Sequence, residues 1–181
     1  MSRRALAVAA ACAVALPLAA AGCSSKQTKL SVAEGTPVTL GNLRYNVQVS
    51  RYLNPADAED QAYLQGAPPL PRDDDYLGVF LQVQNESSGT KQGLPTRYEV
   101  TDTAHTTYVP VPMDNDFSLP LSGDVAAGRS FPSPESAAAN GPIQGAMLLF
   151  VVHQSANVNR PLTLKIPAAA NAAPGRVQLD I

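Results

Sequence analysis

The sequence predicts an all-β chain folded as an antiparallel sandwich. Apolar residues alternate with period two along most of the chain, whereas apolar spacing of three and four is scarce. The alternating runs are short and are divided by turn formers; the 181 residues include 16 prolines and 12 glycines. Neither a tryptophan nor an internal cysteine pair is present to pin two sheets together, so the core itself must hold them.

Each element follows from this pattern. Val38 and Leu40 share a parity, and Gly41-Asn42 behind them is a glycine-first pair suited to a type II′ hairpin turn. From Leu43 to Leu53, Leu43, Tyr45, Val47, Val49, Arg51 and Leu53 fall on one face of a half-buried strand and Arg44, Asn46, Gln48, Ser50 and Tyr52 on the other. The connection from Asn54 to Asp75 is long and acidic. It reads as a mobile binding loop or a solvated crossover, with one helical turn between Pro55 and Leu64. Leu77, Val79, Leu81 and Val83 form the next strand, ended by Asn85 to Gly89. Tyr98 and Val100 lead into a hairpin across Asp102 to Ala104, returning through His105 to Val109. Weaker candidates lie near Leu119 to Ala127. The run from Ile143 to Val152 is apolar on both faces and belongs in the middle of a sheet. Leu162, Leu164 and Ile166, then Val177, Leu179 and Ile181, complete the set, with a flexible connector or helical turn across Pro167 to Pro174. The pattern is that of an immunoglobulin-like β-sandwich of about 7–9 strands. Prolines at Pro68-Pro69, Pro71, Pro110, Pro112, Pro132, Pro134 and Pro142 punctuate the strand ends.

The first 22 residues read differently. A basic head, Arg3-Arg4, precedes an apolar run from Ala5 to Leu18 and the small residues Ala20-Ala21-Gly22, the three parts of a secretory signal. At about 14 residues the apolar run is shorter than the roughly 20 needed to cross hydrocarbon. The expected division is a signal over 1–22, a lipidated N-terminus and tether over 23–35, and the sandwich over 36–181. After Cys23 no cysteine remains. That excludes a disulfide framework, a structural Cys-zinc site, a cupredoxin-type copper centre and a cysteine nucleophile within the domain. Loss of Arg3 and Arg4 leaves 11 basic against 15 acidic residues. A mildly acidic domain without a basic stripe argues against nucleic acid and against electrostatic adhesion to anionic lipid.

Two resemblances bear on function. Ala20-Ala21-Gly22-Cys23 resembles the lipobox of bacterial lipoproteins, which implies cleavage before Cys23 and a lipid on its thiol; Ala20 stands where leucine is usual. The other reading is an ordinary signal peptide cut after Ala19 or Ala21, leaving Cys23 as a free thiol. Within the domain, Tyr76 to Asn85, Tyr98 to Asp102, the Gly128-Arg129-Ser130 turn and the Gly145 to Val152 strand followed by Arg160 to Leu164 resemble, in that order, a known group. It is the Ig-like extracellular domain of unknown function found in bacterial lipoproteins, related in fold to a small secreted immunogenic antigen family of high-GC Gram-positive bacteria. The resemblance spans residues 36–166. It implies a fold and an extracytoplasmic address, and it carries no catalytic residues.

Chemistry-bearing side chains are few. His105 and His153 are the only imidazoles, without a Gly-x-Ser-x-Gly or Ser-x-x-Lys motif, and both read as structural or surface residues. Asp73-Asp74-Asp75 and Asp114-Asn115-Asp116 offer oxygen ligands for calcium but lack the spacing of an EF-hand loop. His105, Met113, Met147 and His153 are the soft ligands available to copper(I). Tyr52, Tyr63 and Tyr76 bracket the acidic loop as a sticky surface or as strand-end packing. The expected function is a lipid-anchored cell-envelope binding module, not an enzyme. It would be monomeric, without a cofactor or metal, held to the membrane through Cys23 and facing an envelope protein or polymer. The alternative is a lipoprotein that binds calcium, copper or a small solute.

Overall fold

The computed structural model describes residues 29–169 and 172–181. Its strands are β1 (Ser31–Ala33), β2 (Val38–Leu40), β3 (Leu43–Leu53), β4 (Asp74–Asn85), β5 (Gln92–Gly93), β6 (Glu99–Thr101), β7 (Thr107–Tyr108), β8 (Pro110–Val111), β9 (Asp124–Val125), β10 (Ser130–Phe131), β11 (Ala146–His153), β12 (Thr163–Ile166) and β13 (Gly175–Gln178). Eight of these have three or more residues and five have two. One-turn helices α1 (Ala58–Gln61) and α2 (Ala137–Asn140) lie in the connections, and a 3-10 turn spans Gln154–Asn157.

The strands form the two layers of a sandwich, as the alternation predicts. The front sheet has the order β1-β13-β12-β6-β7, the back sheet the order β2-β3-β4-β11-β8, with β10 also on β4, and β5-β9 make a small ribbon. Pairing is antiparallel throughout except between β1 and β13, which run parallel. The chain changes sheets at both sides, between β1 and β2 and between β7 and β8, so both pairs of edges are bridged by continuous backbone. Residues 31–33, expected within the tether, are thus a strand of the domain. Val32 is buried in the core, and Arg176 N donates to Leu30 O.

The sandwich has two distinct ends. At the lower end Leu30 enters beside Gly175, and the Leu40–Leu43 turn and Asn85 lie level with it. A Cβ on Gly175 would sit 3.2 Å from Leu40. Gly41 has φ 63 while Asn42 stays out of the positive-φ region, the pattern of a type II′ turn. At the upper end are Leu53, Asp74, the Asp102–Thr106 turn and the 3-10 turn; Thr103 N donates to Asn159 O.

The strand over 43–53 does not keep one face inward. Its register against β4 shifts between Val47 and Val49, and this bulge turns the remaining residues over. Leu43, Tyr45 and Val47 join the inner core with Tyr52, whereas Val49 and Leu53 point away from the front sheet. There they meet a second core. Leu53, Tyr63, Tyr76, Phe80, Met147 and Leu149 are buried together, with Leu64, Leu70, Met113, Phe117 and Ile143 packed around them. The double apolarity of β11 follows: Leu148, Phe150 and Val152 face the front sheet and Met147, Leu149 and Val151 the second core.

The acidic connection after β3 is therefore neither a mobile binding loop nor a solvated crossover. It is a third layer. The Tyr63 ring meets Phe80 at 5.1 Å and Phe117 at 4.7 Å, both edge-on, a favoured aromatic geometry. Asp60, 2% exposed, is the staple: its carboxylate pairs with Arg51 and accepts from Asn54 N at 2.8 Å. Asp57 caps α1 by accepting from Glu59 N. Asn115 Nδ2 donates to Tyr63 O and Gln65 O, each at 3.0 Å, and joins the next loop to this layer.

Candidate functional site: the open face of the front sheet

The connections cover the upper part of the back sheet and leave its lower part open at Arg44, Asn46, Gln82, Gln84 and Ser130; the outer face of the front sheet is a second and larger open surface. Alternation decides what it displays. Val100, Leu164 and Val177 point inward with essentially no exposure, which sends their neighbours outward. The register aligns those neighbours into two rows. Thr107, Thr101 and Thr163 lie side by side, followed by Gln178; one step lower lie Glu99, Lys165, Arg176 and Ser31. All of these but Gln178 and Ser31, together with Asp102, Thr103, His105 and Pro161, line an open groove of about 560 Å³.

The lower row is an ion ladder. Lys165 Nζ donates to Glu99 Oε2 at 2.8 Å, and Arg97 Nε lies 3.1 Å from Glu99 Oε1. The hydrogen bond from Lys165, reinforced by its charge and that of Arg97 against some desolvation, holds the Glu99 carboxyl below its usual range. Three hydroxyls above this ladder offer donors and acceptors without apolar anchors.

The groove ends at the β6–β7 turn, whose geometry the side chain of Asp102 sets. Its Oδ1 accepts from Thr106 N at 2.8 Å, and its carbonyl accepts from His105 N at 3.1 Å. His105 closes the turn with φ 65, the positive-φ non-glycine residue among those described. A histidine there carries strain of about 1 kcal/mol that a glycine would not. Alternation identifies the outward residues of β6 and β12, but the rows they form are invisible in sequence, because pairing partners lie some sixty residues apart.

The other sequence candidates are dispersed. His153 is exposed and serves as a cap: its Nδ1 accepts from Ser155 N at 3.1 Å and lies 2.9 Å from Ser155 Oγ. One ring nitrogen thus meets both the hydroxyl and the adjacent backbone, the local geometry of a capped turn. Met113 and Met147 belong to the second core, away from the exposed histidines. Asp75 accepts from Asn157 Nδ2 at 3.2 Å, and Asn115 is engaged in loop contacts. Among the described residues no three His, Cys, Asp or Glu side chains converge as a metal site. Tyr63 and Tyr76 are buried, 2% and 5% exposed, and Tyr52 packs against the inner core, so the tyrosines are packing and not a surface patch. Cys23 lies outside the described residues, as does part of the Pro167–Pro174 connector. No helix of the described residues is long and apolar enough to cross a membrane.

These features define a three-layered β-sandwich whose front sheet has an open polar face. Comparison with protein-family models gives no match, and comparison with curated proteins gives none at significance. Solved structures do resemble the chain. A functionally unknown protein from Listeria monocytogenes EGD-e matches with a TM-score of 0.50 at 8% identity, over 82% of this chain and 84% of its own. The yjhA protein from Bacillus subtilis matches with a TM-score of 0.48 at 11% identity, over 82% and 98%. An uncharacterized β-sandwich protein from Clostridium difficile 630 matches with 0.46 at 9%, over 83% and 93%. At such identities the likeness is one of fold alone.

Proposed function

We propose that this protein is a lipid-anchored, monomeric binding module of the cell envelope, without catalysis. It is held through Cys23 on the extracytoplasmic side and contacts an envelope protein or polymer through the open front face. The observation that carries the reading is the contrast between the two outer faces. Loops of the kind that usually bind ligands cover the apolar upper part of the back sheet, and the front sheet keeps a broad row of hydroxyls and charges. The lipobox-like Ala20-Ala21-Gly22-Cys23 and the resemblance to lipoprotein Ig-like domains support the address.

Fractionation of cells tests the anchor. Cys23→Ala should release the protein into the medium or leave an unprocessed precursor; a processed, membrane-bound variant overturns it. Thr101→Arg tests the face. It should change stability by less than about 0.5 kcal/mol while removing the crosslinked partners that wild-type protein acquires on intact cells. Unaltered crosslinking in that variant moves the binding surface elsewhere.

A further inference from the structure

The two ends of the sandwich differ in charge. At the lower end, where Leu30 enters the domain, stand the exposed cations Lys29, Arg44, Lys91, Arg97 and Arg129, with Arg176 and Lys165 on the adjoining half of the front sheet. The carboxylates among them are Glu86, Glu99 and Asp124, and each already pairs with one or two of these cations. Lys29, Arg129 and Arg176 have no salt-bridge partner among the described residues. The upper end is the reverse. Asp57, Asp73, Asp74, Asp75, Asp102 and Asp180 gather there against Arg72 and Arg160. Glu59 on α1 and Glu34, which accepts from Ser50 N and Asp180 N, add to the acidic half; Asp114, Asp116 and Glu135 lie in the loops over the back sheet, and the buried Asp60 is neutralised by Arg51.

We infer that the lower end is a docking surface for an anionic bilayer, and that it stands the domain upright on the membrane with the acidic end outward. The inference deepens the proposed anchoring through Cys23 and rests on it. The chain from Cys23 to Lys29 reaches at most about 20 Å when extended, and it enters the domain at its cationic end. That end can approach within the Debye length of about 8 Å over which an anionic surface attracts lysine and arginine. Twelve residues of β4 run between the two ends, roughly 40 Å at strand rise. The acidic end of an upright domain is then several Debye lengths away and costs nothing, whereas a domain lying on its side would bring it into repulsion. The net acidity that argues against lipid adhesion is an average over two ends of opposite sign.

The test uses the full-length protein on vesicles of phosphatidylcholine alone and with 30% phosphatidylglycerol. A fluorophore is placed at the upper end through Val158→Cys, a position 83% exposed, and its energy transfer to a membrane dye is measured. Transfer should fall on anionic vesicles relative to neutral ones, and the difference should vanish in 1 M salt or in Arg97→Glu/Arg129→Glu. Equal or greater transfer on anionic vesicles overturns the upright orientation. Failure to float with neutral vesicles would overturn the anchor alone; flotation with anionic vesicles must then still be lost by about tenfold or more in 1 M salt, or the docking surface falls as well.

Discussion

The two outer faces of the sandwich are built from the same kind of strand and meet opposite fates. On the back, β4 and β11 turn Tyr76, Phe80, Met147 and Leu149 away from the inner core, and three connections fold over them. On the front, β6 and β12 turn out Glu99, Thr101, Thr163 and Lys165, and no connection among the described residues covers them. The outward residues decide whether a connection becomes a layer. A long loop opposite an apolar face is core, however acidic its composition.

The sharpest way to break this comparison is Phe80→Ala. Phe80 is fully buried in the second core, edge-on to Tyr63, and its loss should cost about 3–5 kcal/mol by urea unfolding. The 54–75 segment should become susceptible to protease as its anchor disappears. A cost below 1 kcal/mol would reduce the back layer to a loose cover and restore the binding-loop reading.

A smaller effect of opposite sign is expected at the open face. His105→Gly removes the strain of φ 65 and should stabilise the fold by about 1 kcal/mol. If His105 is kept for its place at the groove, the same substitution weakens partner crosslinking. Stabilisation with undiminished crosslinking would make the histidine a tolerated turn residue and nothing more.

Much of the sandwich is legible in sequence because its cause is local. Period two in Leu77 to Val83 and Leu162 to Ile166, the Gly41-Asn42 turn and the Asp102–Ala104 hairpin all carry their signal within a few residues. The shift at Val47/Val49 does not, since a bulge is a relation between two strands; without it, alternation assigns Val49 and Leu53 to the wrong face. Burial of Tyr63 and Tyr76 was hidden for a related reason. Their partners, Phe80, Phe117 and Met147, lie up to 84 residues away. The site was the least legible part, because a threonine row is three ordinary alternating residues until β7, β6 and β12 pair. The axial separation of charge is likewise a property of topology, set when Lys29, Arg97 and Arg129 are folded to one end.

The ion ladder gives the finest test of the front face, through pH. Lys165 and Arg97 lower the Glu99 carboxyl, so the folded state prefers it ionised more than the unfolded chain does. Its contribution is present above the usual value of 4.5 and is lost as pH falls through the depressed one. Both cations are substantially exposed, 42% and 78%, and solvent screening limits the contribution to about 0.5 kcal/mol. Glu99→Gln should therefore lose that amount near pH 7 and nothing at pH 2–3, so that the wild-type and variant stability curves converge in acid. Addition of 1 M salt should close the gap at neutral pH as well. Curves that stay parallel through the acid range would show that Glu99 acts by packing, and that the lower row of the face is held by shape and not by charge.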